Sequence, residues 1–209
     1  MVQKENSEKS HLGGFVAVFK VMFSTPQFTL QLLMHGMFGA CGFVIPSAIL
    51  FILEDLGTNK DLGRITNAVF IGTGVFGGIL LGAYSTDPST YPRTLKACYV
   101  LGTVSLLLMC AVAYTNVLTD FESSCALVLL MATAGFATLG FTGVLFEDLA
   151  RFPNMTSSYV LWIGYEIMLQ CASTLNMYCS NGNGFKILAG TCSLTCAVFL
   201  SCYRQADYR

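Results

Sequence analysis

Gln27–Leu53 reads QFTLQLLMHGMFGACGFVIPSAILFIL and contains no Asp, Glu, Lys or Arg. A helix needs about 20 predominantly apolar residues to cross the hydrocarbon core of a bilayer, so this stretch has the length of one crossing. The pattern then recurs in Arg64–Tyr84, Thr94–Val117, Cys125–Phe146, Tyr159–Tyr178 and Phe185–Tyr203, and almost every charge lies between the runs. The sequence predicts an all-α, multi-pass integral membrane protein with six transmembrane helices. Residues 1–26 form a cytoplasmic N-terminal segment, 27–203 the membrane domain and 204–209 a cytoplasmic tail. No stretch remains for a water-soluble domain.

Composition supports lipid as the solvent. The chain is 54% hydrophobic and 11% charged, against roughly 25% charged in soluble domains. Its mean hydropathy is +0.63. A net charge of −1 without a basic patch excludes nucleic acid as a partner. Twenty glycines suit membrane helices, where glycine is more frequent than in water. Of the nine cysteines, Cys41, Cys98, Cys110, Cys171, Cys192 and Cys196 fall inside apolar runs, where a thiol acts as a small hydrophobe. No Cys-x-x-Cys occurs and there are only two histidines, so no metal site is expected. No nucleophile–base pair is visible either, and neither enzymatic activity nor a cofactor is predicted.

Orientation follows from lysine and arginine in the connecting segments. With the N-terminus in the cytoplasm, that side holds Lys4, Lys9, Lys20, Arg93, Lys96, Arg151, Arg204 and Arg209. The other side holds Lys60, Arg64 and Lys186. Eight against three predicts that both termini are cytoplasmic, which leaves the sequon Asn154-Met155-Thr156 on the unglycosylated side.

Gly13–Ser24 is apolar but too short to span, and reads as an interfacial helix with Lys20 snorkelling. Within the first crossing, Pro46 removes a backbone donor and predicts a kink that a gate could use. In the second, Gly74, Gly78 and Gly82 recur every four residues, a small-residue stripe expected to admit a neighbouring helix. Gly72-Thr-Gly74-Val-Phe-Gly77 matches the dinucleotide fingerprint literally, but an apolar helix lacks the strand–turn–helix setting that gives the fingerprint meaning. Glu147 and Asp148, with Arg151 nearby, close the fourth crossing as a solvated helix end or a conformational latch. Asn181-Gly182-Asn183-Gly184 predicts a tight turn before the sixth.

Two side chains stand out against the lipid. Glu166 lies near the middle of the fifth crossing and His35 in the first third of the first. A carboxylate at the centre of a membrane helix costs on the order of 3 kcal/mol, so such residues face a cavity or a partner. Three roles fit Glu166: contact with a cationic substrate, proton relay, or a structural hydrogen bond as a neutral acid. His35 reads first as an interhelical hydrogen bond and second as a site residue. Trp162 lies one turn before Glu166 on the same face. Phe43 and Tyr165 add aromatic surface able to meet a cation.

Three stretches carry a family resemblance. Phe19–Phe28 (FKVMFSTPQF) resembles the cytoplasmic helix leading into the seventh crossing of major facilitator superfamily transporters. Gly82–Leu95, with Thr90-Tyr91, resembles the loop between the eighth and ninth. Phe146-Glu147, Pro153 and Thr156-Ser157-Ser158 resemble the entry to the eleventh. The chain is most similar to the C-terminal half of the feline leukaemia virus subgroup C receptor-related transporters. That resemblance implies six helices forming one half of a twelve-helix rocker, with substrate bound between halves. It implies transport of choline or ethanolamine, with a link to haem in some members. The family's cavity glutamine and aromatic fall on Glu166 and Phe43. The superfamily's loop acid falls on Thr86, with Asp87 one place on.

Two functional expectations follow. The first is a carrier for a small solute, such as an organic cation, that works with a second six-helix half: either a missing N-terminal half or another copy of this chain. The second is a half-transporter remnant that serves as a membrane scaffold or modulates a full-length relative.

Overall fold

The computed structural model describes residues 25–57, 60–115, 120–152 and 157–203. The expected interfacial helix, the sequon and the 204–209 tail lie outside them. The helices are α1 (Pro26–Asp55), α2 (Lys60–Tyr84), α3 (Tyr91–Thr115), α4 (Asp120–Thr138), α5 (Thr142–Leu149), α6 (Ser157–Cys179) and α7 (Gly184–Cys202). A single 3-10 turn, Pro88–Thr90, precedes α3. No strand occurs among the described residues.

Among the described residues, five segments are long and apolar enough to cross a membrane: Pro26–Asp55, Lys60–Tyr84, Pro88–Thr115, Phe121–Leu149 and Gly184–Cys202. They match five of the six predicted runs. The sixth helix of crossing length, α6, covers the Tyr159–Tyr178 run but carries Glu166, Gln170 and Asn176. Those three side chains keep it outside the apolar group.

Helix α1 begins with Pro26 in its first turn, where a missing N–H costs nothing. It ends before Gly57, whose φ of 73° is open to glycine at little cost. The helix continues through Pro46 without a break, and Asn67 Nδ2 of α2 donates to the Pro46 carbonyl at 3.2 Å. The expected fourth crossing is interrupted. Helix α4 stops at Thr138 and α5 starts at Thr142, with Leu139–Phe141 bridging them.

The most extensive helix contacts are α2 with α4, α1 with α6, and α3 with α4; α1 and α3 also both pack on α7. Helix α1 is the hub, and α6 lies at the edge of the bundle. The α2–α4 contact is made by glycines. A Cβ on Gly74 would lie 2.7 Å from the Leu139 side chain, and one on Gly77 2.8 Å from the Phe136 carbonyl oxygen. On the facing helix, a Cβ on Gly135 would lie 2.8 Å from the Thr73 hydroxyl. At the break, a Cβ on Gly140 would lie 2.9 Å from Gly77 backbone carbon. The contact is therefore displaced from the predicted stripe. A Cβ on Gly78 would sit at an ordinary 3.9 Å from the Gly140 carbonyl oxygen, and one on Gly82 would meet open space. Two crossing helices touch over only a few turns, so a stripe that continues past the crossing runs out of partner.

The two ends of the bundle are tied differently. At one end Phe28 meets Phe152 edge-on at 5.2 Å, Arg151 lies 4.7 Å over Tyr91, and Lys96 lies 5.7 Å over Tyr203. At the other, the Gly182 amide donates to Asp55 at 2.7 Å, Tyr114 hydroxyl donates to the Gly182 carbonyl, and Lys186 lies 4.3 Å over Tyr114. The start of α1 and the end of α7 thus share one end.

Candidate functional site

His35 is not on the surface that carries Glu166. It is fully buried, and its Nδ1 lies 3.0 Å from the Tyr99 hydroxyl of α3. Tyr99 is stacked between Phe38 and Phe199, with both ring-centre distances at 4.1 Å, and Phe141 closes the cluster edge-on to Phe38 at 5.1 Å. Helices α1, α3 and α7 are joined through this aromatic core, with Phe141 supplied by the break between α4 and α5. The interhelical hydrogen bond expected for His35 is present, and a shared site with Glu166 is not.

Helix α6 presents two unlike faces. Ile163, Gly164, Met168, Ala172 and Cys179 are buried against the bundle. Trp162, Glu166, Gln170, Ser173, Thr174 and Met177 are exposed, at the spacing that aligns residues along one side of a helix. The Ser173 and Thr174 hydroxyls satisfy themselves on the carbonyls of Leu169 and Gln170, at 2.9 Å and 3.0 Å. Such back-bonding makes a hydroxyl tolerable in lipid. Glu166 and Gln170 have no such local solution, and neither side chain makes a hydrogen bond or ion pair among the described residues.

The neighbouring edge of α1 contributes Phe43 and Ser47. Phe43 meets Tyr165 edge-on at 6.1 Å, next in sequence to Glu166. Ser47 donates to Asn176 Oδ1 at 3.1 Å and to the Val44 carbonyl at 2.8 Å. Trp162 and Tyr165 are 49% and 46% exposed. The structure therefore puts Glu166 and Trp162 on the exposed face of α6, sets Phe43 against Tyr165 at the α1 edge of that helix, and sends His35 to the core. Sequence reasoning missed Gln170, although its i+4 spacing from Glu166 was a readable signal. It also missed Tyr99, which is 64 residues from His35 and carries no local cue.

The acidic pair at the end of α5 divides. Glu147 points outward, whereas Asp148 is buried and accepts a hydrogen bond from the Tyr203 hydroxyl at 3.1 Å. Asp148 thereby fastens α5 to the end of α7. In the α2–α3 loop, the Ser89 backbone amide donates to Asp87 Oδ1 at 3.0 Å, which holds the Asp87 carboxyl below the usual carboxylate range. Asp87 is occupied in capping its own 3-10 turn.

No protein family, curated protein or solved structure matches the chain.

Proposed function

We propose that this chain is one six-helix half of a major facilitator-type carrier, and that the exposed face of α6 with the Phe43 edge of α1 lines its path for a small organic cation. One observation carries the reading. The Glu166 and Gln170 side chains stand without partners among the described residues on an exposed helix face, whereas the outer face of α3 is apolar at Val100, Leu101, Val104, Leu107 and Leu108. Lipid would penalise that face, so water, a substrate or a second bundle has to meet it. A carboxylate beside half-exposed aromatic side chains favours a cation such as choline or ethanolamine. The motif resemblance points the same way. Energy would come from a solute gradient.

Uptake and binding of choline, ethanolamine and a neutral isostere by the chain in liposomes or cells test this, with the second bundle present. Glu166→Gln should weaken choline binding about tenfold and leave the neutral isostere unaffected, because only the charge contact is removed. Equal choline affinity in wild type and variant removes Glu166 from the path. Absence of any uptake, with folded protein present, favours the scaffold reading instead.

A further inference from the structure

A groove of about 260 Å³ opens between the end of α2 and the start of α3, with α4 as its floor. Leu81, Ala97, Leu101 and Phe136 make most of it apolar, and Tyr84 and Arg93 stand at the end nearest the α2–α3 loop. From Arg93 to Leu101 the groove follows about 12 Å of helix, so a polar end and an apolar length are arranged along the axis of α3. The groove is open along its side, where Tyr84 is 67% and Leu101 41% exposed. Helix α6 packs on α1, α5 and α7, which places the groove away from the proposed substrate face.

Arg93 differs from the other described cations at this end, Arg151 and Lys96. Arg151 lies over Tyr91 and Lys96 over Tyr203. Arg93 is exposed and makes no ion pair or hydrogen bond among the described residues. An arginine at the membrane surface beside an apolar trough matches an anionic headgroup joined to a hydrocarbon chain. A soluble anion would leave the trough empty, and a neutral lipid would leave the guanidinium unmatched.

We propose that this groove is a binding site for an anionic phospholipid, whose phosphate meets Arg93 and Tyr84 while one acyl chain lies along Leu81, Ala97, Leu101 and Phe136. The site bridges α2 and α3 across their loop. Its occupant would stiffen that end of the bundle.

Native mass spectrometry of the full chain, titrated with phosphatidylglycerol or phosphatidylcholine, tests the site. Wild type should retain phosphatidylglycerol in preference to phosphatidylcholine. Arg93→Gln should lower phosphatidylglycerol affinity about fivefold and erase the preference. Ala97→Phe keeps the arginine but fills the trough, and should lower the affinity for both lipids. Glycerol phosphate and inorganic phosphate should compete poorly, because they lack the chain. Unchanged phosphatidylglycerol affinity in Arg93→Gln overturns the headgroup contact. Unchanged affinity in Ala97→Phe, or full displacement by inorganic phosphate, overturns the lipid assignment.

Discussion

Gly135→Leu should remove most of the folded protein, whereas Gly82→Leu should leave the yield unchanged. Gly135 faces the Phe70–Thr73 turn of α2, and even a single Cβ there would collide with the Phe70 carbonyl oxygen and lie 2.9 Å from its carbon. Backbone cannot turn aside as a flexible side chain can. Separating α2 from α4 would also open the Gly74 and Gly77 contacts, so the cost should be about 3 kcal/mol. Gly82 has nothing within reach of its Cβ, and a leucine there would only add apolar surface. Folded yield and thermal unfolding in detergent distinguish the two. Equal tolerance at both positions would contradict the α2–α4 crossing, and equal sensitivity would restore the stripe predicted from the sequence.

The second large effect is expected at Tyr99. Tyr99→Ala removes the ring held between Phe38 and Phe199 and leaves the His35 imidazole without its phenol. Large-to-small changes at fully buried aromatic positions cost about 3 to 5 kcal/mol. In lipid that loss is mainly packing, because association between membrane helices gains little from hydrophobic transfer. Tyr99→Phe keeps the stack and deletes one hydrogen bond, so it should cost about 1 kcal/mol. Unfolding measurements should therefore rank alanine far below phenylalanine. Similar values for both would place the stabilisation in the His35–Tyr99 hydrogen bond rather than in the stack.

The helices were legible because apolar length is a local property. Five of the six predicted runs return as segments able to cross, and α6 returns with the length but not the apolarity, owing to Glu166, Gln170 and Asn176. The same polar residues that made Glu166 conspicuous in the sequence weaken the crossing signal of its helix. The break at Leu139–Phe141 was not legible, since Gly140 resembles the many other glycines until the backbone of α2 is seen against it. Pairings across the bundle were hidden for the same reason: Ser47 with Asn176, Asp148 with Tyr203 and His35 with Tyr99 join residues far apart in the chain. Depth in a run identified which residues were costly. It did not indicate which face of the helix they occupied.

That face is the centre of the account, and its contact with water can be measured. Cys125 and Cys202 are the exposed native thiols, so a Cys125→Ser, Cys202→Ser background leaves the less accessible ones. In membranes, Gln170→Cys in that background should react with a charged, impermeant thiol reagent, and choline should slow the reaction. Val104→Cys, on the apolar outer face of α3, should stay unreactive under the same conditions. If the thiol at position 170 is as inert as the one at 104, with or without choline, α6 turns that face to lipid or to a sealed contact, and the proposed cation path does not run along it.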